Sequence, residues 1–381
     1  MRKTTTTIAL SLLLFITALG QAGAAELPVL KVGHVGHDHQ IALYVAADEG
    51  KALEERYGVY LEKLKDQEAY ILHDKGSAVA QIQIIRVGGG SKMPAALEQG
   101  HIEVGLGGLG PVAKFVDKGA DMKVLAPLNN DGDALVLGST MKADGWEAFV
   151  SEVKASKRPI KIGYKEPMAV AYMIMIRALE EEGISYGNEP FPADGTPNKV
   201  ITINLHGLTN ALPSLESAIV DGVVVNEPMA SILESKGVGR IVADLSSLPP
   251  RGRWEGHPCC VVAARGDAIK SKREIIKSLL KAIAAGGDII ARDKNRALRA
   301  ESRWTRTDRE VGKKSIANVD YVYKPDSDWI RGVDTWIDLM NTGGHFNKGL
   351  KGKSPQEVRG EILDLRLMDE VLKDMGTGQK R

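Results

Sequence analysis

The chain has 381 residues, Lys+Arg 50 against Asp+Glu 49 and a formal net charge of +1. No long like-charge block stands out, so neither nucleic acid nor an anionic membrane surface is expected as a partner. With aromatic residues at only 5%, a carbohydrate groove of stacked rings is not expected either. The length exceeds what one hydrophobic core usually holds, and two lobes are expected.

At the start, Arg2 and Lys3, the apolar run Ile8–Leu19 and the small residues Ala22-Gly23-Ala24 read as a secretory signal peptide over residues 1–24. The run is too short to span a bilayer comfortably. No cysteine at the cleavage site indicates lipid attachment, and the expected location is the periplasm. Beyond it, Leu30–Val35, Ala80–Val87, Glu103–Leu106, Lys123–Pro127 and Ala134–Leu137 read as strands, followed by Ile160–Tyr164, Val200–Asn204, Gly222–Val225, Arg240–Ala243 and Cys260–Ala263. Helical patterns lie between them at Ile41–Leu53, Met93–Glu98, Pro111–Lys118, Ala169–Glu182 and Leu212–Ile219. This alternation implies βαβ units and buried, mostly parallel sheets. Apolar spacing over Glu274–Arg292, Trp329–Met340 and Ile362–Leu372 predicts a helical finish, with Gly376–Arg381 frayed.

Gly36-His37-Asp38-His39-Gln40 sits where the first strand ends and a helix begins, with His34 just upstream. In open α/β folds ligands gather at the carboxyl ends of strands, facing the free N–H groups of the next helix. His37, Asp38 and His39 are therefore expected to face a binding cleft; the alternative is a helix cap and two solvated histidines. The only cysteines, Cys259 and Cys260, are adjacent, and neighbouring Cα atoms are too close for an ordinary disulfide. Free thiols or a soft ligand pair are expected, with a strained bond the rarer outcome. Gly105-Leu106-Gly107-Gly108-Leu109-Gly110 imitates a dinucleotide fingerprint, but no strand with a ribose-binding acid follows at the required distance. Asn129-Asn130-Asp131-Gly132-Asp133 has Thr140 where a calcium loop needs glutamate. No hydrolase constellation is evident, and the Met173 and Met175 pair reads as core.

Three segments, Tyr44–Gly50, then Gly88–Ser91 leading into Ala95–Gly105, and finally Asp221–Pro228, resemble the periplasmic substrate-binding proteins of nitrate, sulfonate, taurine and thiamine-pyrimidine type ABC importers. The resemblance runs from about Leu30 to about Gly343. It implies an α/β, type II periplasmic binding protein with two α/β lobes and a ligand cleft between them. Residues 27–130 plus 248–343 would form one lobe, 131–247 the other, and 344–381 a C-terminal helical tail. The crossings would lie near Pro127–Leu135 and Ser246–Pro258. The cleft residues it implies are His37, Asp38 and His39, Gly108 and Leu109, Lys165 and Met168, Asn226 and Glu227. Asn130 and Asp131 are expected from the Asn129–Asp133 run read as a hinge turn, where one or two residues face ligand and Asp131 or Asp133 pairs with a cationic or amine-bearing solute. Where relatives that bind small anions place small hydroxyl residues, this chain has Pro167-Met168-Ala169.

His257-Pro258-Cys259-Cys260 follows the expected return crossing, which is expected to bring His257, Cys259 and Cys260 within reach of the same cleft. Imidazole and thiolate donors suit zinc, copper or nickel; packed thiols with His257 bonded to a carbonyl are the alternative. The function implied is a monomeric receptor without cofactor that passes a small-molecule solute to an ABC membrane permease. A metal or metal-chelate receptor, and an enzyme like the thiamine-pyrimidine synthase of the same fold, are the other readings.

Overall fold

A computed structural model describes residues 26–190 and 195–376; the expected signal peptide and the last five residues lie outside them. The chain first lays down β1 (Val29–His34), β2 (Val59–Lys65), β3 (Ala69–Asp74), β4 (Ser77–Arg86), β5 (Val104–Gly108) and β6 (Met122–Asp131). It crosses at Gly132 into β7 (Asp133–Gly138), β8 (Ile160–Tyr164), β9 (Tyr186–Gly187), β10 (Val200–Asn204), β11 (Gly222–Asn226) and β12 (Gly239–Asp244). It then returns for β13 (Pro258–Arg265) and β14 (Val319–Tyr321). The strands form an eight-stranded sheet ordered β14-β6-β13-β5-β1-β4-β3-β2 and a six-stranded sheet ordered β12-β7-β11-β8-β10-β9. The first sheet is thus built from both ends of the chain.

The central strands β5 and β11 are apolar runs buried along almost their whole length, as expected of strands covered by helices on both faces. The expectation of mostly parallel sheets fails in the first sheet. There β1 pairs parallel with β4 and β5, whereas the other neighbouring pairs are antiparallel. The reason is local. β2, β3 and β4 form a meander whose short connections allow only antiparallel pairing, and β13 re-enters beside β6 running the opposite way. The six-stranded sheet keeps parallel pairing from β11 through β8 and β10 to β9.

Two glycines of the dinucleotide-like run have a packing role. An added Cβ would meet the Met93 sulfur at 2.5 Å from Gly105 and the Met93 methyl at 2.8 Å from Gly107, so Met93 lies flat on the sheet. Met173 and Met175 are core residues. The helix expected over Ile41–Leu53 ends at Glu49, where Gly50 takes φ +51, and the chain continues as a 3-10 turn over Gly50–Leu53. The pattern over Ile362–Leu372 is two helices, Pro355–Ile362 and Arg366–Asp374. The break occurs because Leu363 bridges Val124 and Asp364 N donates to the Val124 carbonyl at 2.8 Å.

A candidate solute site between the two sheets

The carboxyl ends of β1, β5, β8 and β11 converge on one cavity. It is lined from the first sheet's side by Val35, His37, Gly90, Gly108, Pro111, Cys259 and Cys260, and from the second by Lys165, Ala169, Val170 and Asn226. Helices Leu109–Asp117 and Val170–Glu181 begin at its wall, so backbone N–H groups without intrahelical partners are available to a negatively charged group. In this conformation the room for water-sized occupants totals about 30 Å³. The lobes touch around it. A Cβ on Gly89 would meet the Lys165 side chain at 2.6 Å, one on Gly90 the Glu166 side chain at 2.8 Å, and one on Gly110 the Met168 carbonyl at 3.2 Å.

His37 is both a helix cap and a wall residue. Its Nδ1 accepts from the His39 backbone N at 3.3 Å, and Gln40 Oε1 accepts in return from the His37 N at 3.4 Å. Neither histidine is solvated, with His37 at 6% exposure and His39 at 1%. Burial holds the His37 pKa well below 6.5, helped by His39 and Lys165, and the ring is neutral. His39 lies one layer deeper, with Nδ1 3.3 Å from Cys259 Sγ and 3.8 Å from Cys260 Sγ. Burial alone would lower its pKa, but Cys260 and then Asp38 outweigh it and raise the value to about 9. Cys260 is held well below the usual thiol range by the hydrogen bond from Cys259 and by His39, against the opposing pull of burial. Cys259 is pushed up by Cys260 and by burial. The two sulfurs are thus pushed in opposite directions around one imidazole, Cys260 toward the deprotonated form and Cys259 away from it.

Both cysteines are free, and their shared orientation is unusual. Successive side chains of a regular strand point to opposite faces. Here the register of β13 against β6 shifts between Pro258 and Cys260 and again between Cys260 and Val261, which lets both sulfurs reach one imidazole nitrogen. On the opposite wall Lys165 Nζ donates to Asn226 Oδ1 at 3.3 Å. Asn226 Nδ2 donates to Asp133 and, at 3.9 Å, to Cys259 Sγ.

The remaining residues expected at the cleft lie elsewhere. Asp38 is fully buried and turned toward Ser315, whose hydroxyl donates to its Oδ2; burial raises its pKa. Leu109 packs in the core. Met168 is a junction residue at φ +66. Glu227 accepts from Ser231 N at 3.0 Å and from Asn318 Nδ2 at 2.7 Å, tying the Met229–Ser235 helix to the Arg309–Asn318 helix. Asn130 continues β6, and its neighbour Asn129 supplies the contact, accepting from Cys260 N at 3.1 Å. His257 faces the crossings, with Nδ1 2.9 Å from Asp131 and Nε2 3.1 Å from Asp133. Cys259 and Cys260, both expected within reach of the cleft, line it. Reading the sequence alone did not single out Val35, Gly90, Pro111, Ala169 or Val170 as site residues. Gly90, Pro111 and Ala169 stand in segments already noted there, while the two valines carry no signal beyond their place at a strand end and a helix start.

A family model described as the NMT1-like family matches residues 23–302. An uncharacterized protein of Methanocaldococcus jannaschii is 33% identical over 128 residues, covering 33% of this chain and 88% of the relative. Among solved structures, the ligand-binding component of an ABC-type import system from Staphylococcus aureus, with zinc bound, superposes at TM-score 0.69 and 15% identity over 90% of this chain and 99% of its own. The periplasmic nitrate-binding protein NrtA of Synechocystis PCC 6803 gives TM-score 0.67 at 15% identity over 91% and 89%. The periplasmic aliphatic sulphonate binding protein SsuA of Escherichia coli gives 0.60 at 15% identity over 88% and 92%. The shared architecture is the periplasmic binding protein fold, two α/β lobes.

Proposed function

The chain belongs to the NMT1-like family, and from that premise we propose that it is a solute receptor of an ABC importer, capturing a small polar molecule outside the cytoplasm and presenting it to a membrane permease. The observation that carries this reading is the cavity itself, whose walls come from both sheets and meet at strand ends and helix N-termini. Lys165, Asn226 and the N-terminus of the Val170–Glu181 helix form a wall suited to an anionic group. His37 and the two thiols form the facing wall. The absence of a hydroxyl residue across Pro167-Met168-Ala169 separates this wall from one built for nitrate or a simple sulfonate. The named structural relatives are a ligand-binding component with zinc bound, a nitrate-binding protein and a sulphonate-binding protein.

Such a receptor binds one solute per chain, closes on it and does not turn it over. A thermal-shift screen of anions, sulfonates, amines and vitamin precursors is expected to find a solute that stabilises the protein by about 2.7 kcal/mol at a hundred times its dissociation constant. Lys165→Ala is expected to weaken that solute by about tenfold or more, since it removes a charged hydrogen-bond donor from the wall. A solute bound equally well by Lys165→Ala would place binding outside this cavity.

A further inference from the structure

We infer that the first-sheet wall of the cleft is a binding site for a thiophilic d-block cation of the Zn(II) or Cu(I) type, held by His37, His39 and Cys260. The inference deepens the receptor reading, because it names the chemistry of one half of the same cavity. One ligand atom from each of the three residues lies within 4.8 Å of the other two, and all three residues are buried. In a tetrahedral site with metal–nitrogen bonds of about 2.0 Å and metal–sulfur bonds of about 2.3 Å, the two nitrogens sit about 3.3 Å apart and each nitrogen about 3.5 Å from the sulfur. His39 Nδ1 and Cys260 Sγ, 3.8 Å apart, are close to that edge. Contraction of about 1 Å at the remaining edges completes the cage.

The donor set is one such an ion selects, and two of its three members are held from behind. Two imidazoles and a thiolate are the borderline-to-soft ligands that zinc and copper(I) select over magnesium or calcium. Metal-ligating side chains are normally oriented by a hydrogen bond on their far side. His37 has one, because its Nδ1 caps the backbone at His39 and leaves Nε2 as the free nitrogen. Cys260 Sγ accepts from Gln40 Nε2 at 3.6 Å, which fixes the sulfur. The bulged register that turns both thiols to one side has no counterpart in a regular strand, and it puts Cys260 rather than a buried alanine or valine opposite His39. Coordination needs donor atoms free of protons, so any proton on the ligating sulfur or nitrogens leaves to solvent as the ion binds. The fourth position opens toward the cavity, where about 30 Å³ admits an atom-scale ligand and Lys165 Nζ stands on the opposite wall to favour an anionic one.

The test is titration of the full mature protein, stripped with a chelator and kept reduced. Zn(II), and separately Cu(I) without oxygen, are added in competition with a chromophoric chelator, and Co(II) serves as the spectroscopic probe. Expected is one equivalent of Zn(II) or Cu(I), and a Co(II) complex with a thiolate-to-metal charge-transfer band. Cys260→Ser removes that band while Cys259→Ser retains it, and His37→Ala lowers affinity by about tenfold or more. His37→Gln, which keeps a capping acceptor, is the companion variant, and matching thermal melts establish that each variant is folded. Absence of stoichiometric metal binding, or a charge-transfer band that survives Cys260→Ser, overturns the assignment. A metal-free protein that still binds an organic solute through Lys165 leaves the receptor reading standing and removes the metal. A protein that binds neither loses both.

Discussion

Replacing His257 with alanine is expected to lower the free energy of unfolding by about 3 kcal/mol, the cost of leaving a buried charge without its partner. The imidazole stands between Asp131 and Asp133 at 2.9 and 3.1 Å, and Nδ1 also contacts the Trp254 carbonyl at 2.8 Å. Backbone bonds reinforce the clasp: Asp131 N donates to the His257 carbonyl at 3.0 Å, and His257 N donates to Asp131 Oδ1 at 3.1 Å. These contacts join both crossings between the sheets. Burial alone would lower the His257 pKa, but the two carboxylates outweigh it and raise it from 6.5 to about 9. The folded state therefore holds this proton more tightly than the unfolded chain. The clasp's contribution is fully present below pH 6.5 and is lost as pH rises through about 9. Urea unfolding of the wild type and His257→Ala between pH 6 and 9.5 checks this. The difference between them should shrink toward high pH, and a difference that is constant or grows with pH would contradict the clasp.

Gly286→Ala is expected to cost about 3 kcal/mol, at the upper end for overpacking a core. Gly286 lies in the Arg273–Arg292 helix, and a Cβ there would stand 2.0 Å from the Ala42 carbonyl oxygen and 3.2 Å from the Ala46 nitrogen. Both obstacles are backbone of the Ile41–Glu49 helix, so no side-chain rotation relieves the clash and the two helices must separate. The displaced helix carries the Gly36–Gln40 loop at its start. The same substitution is therefore expected to weaken solute binding from outside the cavity. Paired urea and thermal-shift measurements check both effects; an unchanged unfolding midpoint would show that the helices separate at no cost.

The strands most visible in the sequence are those buried on both faces. Val104–Gly108 and Gly222–Asn226 are continuous apolar runs because sheet and helices cover them completely. Val59–Lys65 escaped notice because only its first half is buried and Glu62, Lys63 and Lys65 face solvent. The Lys294–Thr305 helix is rich in charge, and its signal is the Asp293 cap, whose side chain accepts from Asn295 N at 2.9 Å. At the cleft, loops after strands were legible, since a polar cluster between an apolar run and a helix marks a strand's carboxyl end. The direction of each side chain was not. Asp38 and Glu227 turn away from the cavity toward Ser315 and Asn318, partners remote in sequence. The convergence of Cys259 and Cys260 on His39 depends on irregular pairing with β6, which strand periodicity cannot reveal.

The central claim, that solute is enclosed between the two sheets against the thiols, is tested most directly by the alkylation rate of Cys259 and Cys260 with and without a solute found in the thermal-shift screen. Both side chains line the cavity, and no other cysteine is present in the chain, so the reaction reports on this wall alone. The account predicts that a saturating, stoichiometric solute slows alkylation by about tenfold or more, as expected when the thiols react only from the open, unliganded state. Equal rates in both states, with the solute demonstrably bound, would place the binding site elsewhere on the molecule.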